Sequence, residues 1–185
     1  MGLMHYKGSN NDNLGARYYE LLFKDATGYD VEIEDAIQYI QDHLDEIIKN
    51  IVTISKNNPN ISDAVSNVVL MDKTPEEQME LYKTMIIGHF PQIEKYPEIN
   101  IKNVHPSMED HFSPAAYISS PIDDYDSESI FLNQKRIDGD YNYLYTTLAH
   151  EGIPGHMYQN IYFKTQDVNM IRKVLKNSGY QEGWA

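Results

Sequence analysis

His150-Glu151-Gly152-Ile153-Pro154-Gly155-His156 is the stretch on which the fold turns, and Glu182 follows it 26 residues after His156 in Gln181-Glu182-Gly183-Trp184-Ala185. Two imidazoles and two carboxylates thus stand near a helix-breaking Pro-Gly pair. Two His and one acidic ligand, with a second carboxylate free to work on a water, form the donor set of a catalytic zinc site. The common helical version of that site sets its histidines four residues apart; here they are six apart. At about 100° per residue, an unbroken helix would leave the two rings roughly 120° out of line. Pro154 cannot donate to the carbonyl of His150, and Gly155 adds backbone freedom. A bulge or kink over residues 152–155 is therefore expected to return His156 to the side of His150.

On this reading His150, His156 and Glu182 are the candidate metal ligands, and Glu151 is the candidate general base. The same residues admit a plainer reading. A His-Glu pair is ordinary surface chemistry, Pro-Gly is an ordinary helix stop, and a Glu at a helix start faces the dipole. Spacing alone leaves both readings open.

Outward from the motif, the pattern from Tyr141 is helical and runs into His150. Ahead of it, Ile99 and Ile101, residues 115–120 and residues 129–133 have strand character, with an acidic loop at residues 123–126. The block Ile130-Phe131-Leu132-Asn133 reads as an edge strand to which an extended peptide could add, or as an ordinary buried strand. Farther back, Thr74-Pro75-Glu76-Glu77 combines a capping box with proline at the first helical position, opening a helix to about Ile87. Residues 61–72 read as a helix capped by Ser62. Residues 31–57 form the clearest helix: Ile33, Ile37, Ile40, Leu44, Ile47, Ile51 and Ile54 keep to one stripe, expected to pack on neighbours, with Asp30 as the cap. Residues 17–26 suit a short helix ended by Thr27-Gly28, and residues 1–16 a polar arm. A last helix over residues 168–177 is expected behind Asp167.

The sum is an α+β chain, predominantly α-helical, with a small sheet preceding a kinked active-site helix. Residues 1–98 form a mainly helical region, and residues 99–185 carry the sheet and the site.

Composition narrows the function classes. The net charge of −13 comes with no basic stripe to neutralise phosphates, so no nucleic-acid partner is expected. The chain has no cysteine, which excludes thiolate nucleophiles and Cys-type zinc sites. No apolar run is long enough to cross a membrane. Fifteen tyrosines are many for 185 residues; Tyr141, Tyr143, Tyr145 and Tyr158 gather round the motif, as cleft-lining or packing residues. His105, Glu109, Asp110 and His111 occupy a polar loop with no element to fix a metal geometry. The chain stops at Ala185 directly after a motif, and is expected to be a fragment of a longer protein.

Taken together, residues 148–159 and 179–185 resemble a bacterial family known as domain of unknown function 885, DUF885. Tyr18-Tyr19, Thr27-Gly28, Pro114-Ala115-Ala116-Tyr117 and Phe131-Leu132-Asn133 follow the same order. Members of the family resemble gluzincin-type zinc metallopeptidases. The resemblance implies a zincin-like fold, incomplete here, with zinc on His150, His156 and Glu182, and Glu151 as base. Many members carry a second His after the position of His156; Met157 stands there in this chain, which leaves His156 as the ligand. It also implies a peptide substrate, an extracellular or cell-envelope location, and the rest of the parent polypeptide as a partner. The expected activity is that of a zinc-dependent peptidase-like hydrolase, impaired in this fragment, where Glu182 is poorly fixed and zinc occupancy low or nil. The alternative is a non-catalytic peptide-binding protein on the same scaffold.

Overall fold

The computed structural model describes residues 14–66, 73–137, 141–175 and 177–185. Most of the expected N-terminal arm, and the expected helix 61–72 beyond Ser66, lie outside them. The chain is α+β and mainly helical, with one three-stranded sheet. It divides into two compact units: Met1–Val68 with Asn177–Tyr180, and Val69–Lys176 with Gln181–Ala185.

The first unit holds helices α1 (Leu14–Thr27), α2 (Ile33–Asn57) and α3 (Ile61–Ser66). Gly28 ends α1 with φ 71°, a backbone region that side chains avoid, while its N–H bonds Lys24 O at 2.9 Å. Asp30 does not cap α2. Glu32 occupies the cap position without a side-chain bond, and Asp30 pairs instead with Lys24 at 2.7 Å. Helix α3 starts at Ile61, so Ser62 lies inside it rather than before it. The apolar stripe of α2 forms as expected, yet no residue of that helix is buried. Packing on neighbours therefore does not hold for this helix among the described residues.

The second unit contains the core. Helix α4 (Pro75–Met85) opens on the complete capping box, in which Thr74 and Glu77 each bond the other's backbone N–H. Strands β1 (Glu98–Asn103), β2 (Ala115–Ile118) and β3 (Ser127–Leu132) form a sheet in the order β1-β3-β2. β1 is parallel to β3, and β2 is antiparallel to it. β3 is thus the central strand, so of the two readings open for residues 130–133 the buried strand holds, and β1 and β2 form the edges. Alternation on β3 turns Glu128, Ile130 and Leu132 inward.

Helices α5 (Gln134–Ile137), α6 (Tyr141–Glu151), α7 (His156–Thr165) and α8 (Met170–Val174) follow, and α9 (Ser178–Trp184) closes the chain. The cap of α8 is Asn169, whose Oδ1 accepts from Ile171 N at 3.0 Å, so the helix starts later than Asp167 would place it. Met79, Tyr82, Ile130, Leu148, Ile153, Met157 and Tyr158 belong to one buried cluster. Each such side chain contributes about 1.5–3 kcal/mol through removal from water. Because Leu148, Ile153 and Met157 all belong to it, the core grips the chain on both sides of the helix break.

Candidate metal centre

The break falls where Pro154 and Gly155 stand: α6 ends at Glu151 and α7 begins at His156. Gly155 N donates to Ala149 O at 3.0 Å, and Tyr158 N to Gly152 O at 3.0 Å. Both bonds skip the helical register, so the turn satisfies its own backbone while redirecting the chain. Gly155 is required by proximity: a Cβ there would come within 1.7 Å of His150 O.

The outcome is that the two imidazoles meet edge to face. Their ring centroids are 4.7 Å apart, with planes at 81°. Glu182 Oε2 lies 3.8 Å from His150 Nε2 and 3.5 Å from His156 Nε2. The three ligand atoms fall within 4.8 Å of one another. Donors on a tetrahedral zinc, at about 2.0–2.2 Å from the ion, stand roughly 3.4 Å apart. The set fits such an ion after a contraction of the order of 1 Å. His156 is the more enclosed imidazole, at 17% side-chain exposure against 43% for His150.

Glu182 sits on a short terminal helix, but that helix is anchored. Trp184 Nε1 donates to Pro154 O at 2.8 Å. Its ring stacks on Tyr158 at 8° and meets Phe90 edge-on. The residue two positions beyond Glu182 is thereby fastened to the turn between His150 and His156.

Glu151 stands apart from the ligand set. Its Oε2 accepts from the backbone N–H of Tyr117 on β2 at 2.8 Å. A cleft of about 650 Å³ is lined by Ala115, Tyr143, Tyr145, His150, Glu151 and Pro154, among others. A carboxylate and an imidazole of the motif therefore open on one cavity bordered by the edge strand.

The family model for bacterial proteins of unknown function, DUF885, matches residues 4–185. The chain belongs to the DUF885 family. This DUF885 chain is similar over 92% of its length to the crystal structure of a candidate lipoprotein from Colwellia psychrerythraea, with a TM-score of 0.67 and 18% identity. The likeness is one of fold, and it takes in 32% of that protein, so the DUF885 chain spans about a third of it. No curated protein matches the chain.

Elsewhere in the DUF885 chain, His105 caps the 3-10 turn Pro106–Met108, its Nδ1 accepting from Ser107 N. Asp110 pairs with Lys135 at 2.5 Å. Neither joins His111 and Glu109 in a metal-type group among the described residues. Tyr143 and Tyr145 line the cleft, whereas Tyr158 is fully buried and donates to Pro91 O. Sequence reasoning missed Tyr117, Trp184 and the buried pair Glu128–Lys164, joined at 2.9 Å. Trp184 was visible beside Glu182, and Lys164 falls eight residues after His156 on the same helical face.

Proposed function

We propose that His150, His156 and Glu182 hold a zinc ion, and that Glu151 is the general base of a peptidase-like hydrolysis. The observation that carries this reading is the different placement of the two carboxylates. Glu182 Oε2 lies 3.8 Å and 3.5 Å from the two imidazole nitrogens, while Glu151 lines the adjoining cleft and is held by a backbone N–H. A zinc ion held by these three residues would supply Lewis acidity to a water near neutral pH. Glu151 accepts the proton of that water as it attacks a carbonyl, then passes the proton to the leaving amine. The resemblance of residues 148–159 and 179–185 to gluzincin-type motifs implies the same roles.

A peptide substrate suits the cleft, because the cleft runs beside β2, an edge strand of the sheet, and places Glu151 and His150 along it. The lipoprotein description of the structural neighbour supports an extracellular or cell-envelope location. No described helix is long and apolar enough to cross a membrane. Zinc binding is proposed for the residues present here, and hydrolysis for a complete DUF885 polypeptide that carries them.

The test combines elemental analysis with one substitution. After zinc loading and dialysis, the chain is expected to retain about one zinc, and His156→Ala to lose it. In the complete polypeptide, Glu151→Gln is expected to keep the metal and lose cleavage of internally quenched peptides. Undiminished cleavage in Glu151→Gln sinks the assignment of the base. Peptide binding without turnover in the zinc-loaded wild type decides for the non-catalytic alternative.

A further inference from the structure

Tyr117 is engaged at both ends. Its main-chain N–H holds Glu151 Oε2 at 2.8 Å, and its phenol donates to Glu128 Oε2 at 2.8 Å. The same phenol oxygen accepts from Asn160 Nδ2 at 2.6 Å. Behind it lies an ion pair taken out of water, with Glu128 2% and Lys164 6% exposed. Lys164 Nζ donates to Glu128 Oε1 at 2.9 Å, to Ser120 Oγ and to Asp124 O. Ser120 donates to Glu128 through both its N–H and its hydroxyl.

Burying two charges costs several kcal/mol per ion, and an apolar pair of similar volume is often no less stable. The placement of the pair is more telling than its energy. His156, Asn160 and Lys164 recur every four residues along α7, so they share one face of that helix. Along that face lie the ligand cluster at His156, the Tyr117 phenol at Asn160 and the Glu128 carboxylate at Lys164. The edge strand is thus fastened, through one tyrosine, to the helix that begins with a ligand.

We propose that Tyr117 is a positioning residue for Glu151. The Glu128–Lys164 pair and Asn160 fix its phenol, and with it the main-chain N–H that restrains one carboxylate oxygen of Glu151. The other oxygen is then left for proton transfer. The inference rests on the role proposed above for Glu151.

Amide hydrogen exchange reads the Tyr117 N–H directly, in this chain and without metal or substrate. Glu151→Ala is expected to speed exchange at residue 117 about tenfold relative to the β3 amides, as loss of a bond to a charged acceptor requires. Tyr117→Phe and Glu128→Gln are expected to do the same at that position. Ile137→Ala, which truncates the core, serves as the control and leaves the ratio unchanged. Exchange at residue 117 that is unaltered in both Tyr117→Phe and Glu128→Gln overturns the proposal.

In the complete zinc-loaded polypeptide, Tyr117→Phe is expected to lower kcat about tenfold at constant KM and zinc content. Unchanged kcat beside active wild type also overturns the proposal. If wild type turns over no peptide while the exchange pattern holds, the hydrolase reading fails, and the hold of Tyr117 on Glu151 is upheld.

Discussion

Gly155 stands so close to His150 that a Cβ on it would lie 1.7 Å from the His150 carbonyl oxygen and 2.5 Å from its carbonyl carbon. The contact is between backbones, so no side-chain rotation relieves it. The break that aligns the two imidazoles therefore exists only with glycine at this position. Gly155→Ala is expected to cost about 3 kcal/mol of stability, at the upper end for overpacking. It should also abolish tight zinc binding, because His156 moves with the turn. Urea unfolding and a competing chromophoric chelator measure the two effects. An alanine variant that binds zinc like wild type would show that the turn does not set the ligand geometry.

Trp184 gives a second prediction. Its indole N–H is bonded to Pro154 O, and its ring lies on Tyr158, two residues beyond Glu182. Partners that orient a metal ligand typically account for 10–100-fold in affinity. Trp184→Ala is expected to weaken zinc binding toward 100-fold, and Trp184→Phe, which keeps a ring but loses the N–H, about tenfold. The chelator competition reads both. Equal affinity in Trp184→Ala and wild type would show that Glu182 is held by something else.

How much of this was legible in the sequence depends on what kind of group carries each feature. The break between His150 and His156 was readable because Pro154 and Gly155 have backbone consequences wherever they stand. The capping box at Thr74 and Glu77 was readable because its partners lie three residues apart. The hold on Glu151 was not, since its donor is the main chain of Tyr117, 34 residues away, and a backbone N–H has no sequence signature. Nor could the central strand be told from the edge. β3 becomes central by pairing with β1 through Glu98↔Ser127 and with β2 through Ala115↔Leu132, and both partners are remote in sequence. The stripe of α2 was correct as a pattern, but periodicity says only which face is apolar, not what meets it.

The ion pair behind Tyr117 makes a separable stability prediction. Lys164→Met leaves Glu128 buried without its cation and is expected to cost about 3–5 kcal/mol. The double variant Glu128→Leu/Lys164→Met removes both charges and should recover most of that loss. Urea midpoints for the two single variants and the double variant complete the cycle. If the double variant is no more stable than Lys164→Met alone, the pair is not the source of the loss.

The buried tyrosines give a prediction for alkaline pH. Burial is the main cause that raises the phenols of Tyr82, Tyr96 and Tyr117 above their ordinary 10.0, Tyr96 to about 12. At Tyr117 the charge of neighbouring Glu128 adds to the effect. In the unfolded chain these phenols ionise near 10.0, while in the folded chain they hold their protons to higher pH. Above that value the folded state binds more protons than the unfolded one, so stability falls as pH rises. Their contribution is complete below about pH 10 and is lost as pH climbs through about 12 and beyond. The urea midpoint is expected to hold from about pH 8 to 9.5 and then to fall steeply. Tyr117→Phe, which removes one titrating group, should make the fall shallower. A midpoint as steep in Tyr117→Phe as in wild type would show that this phenol keeps its proton no longer in the folded chain than in the unfolded one.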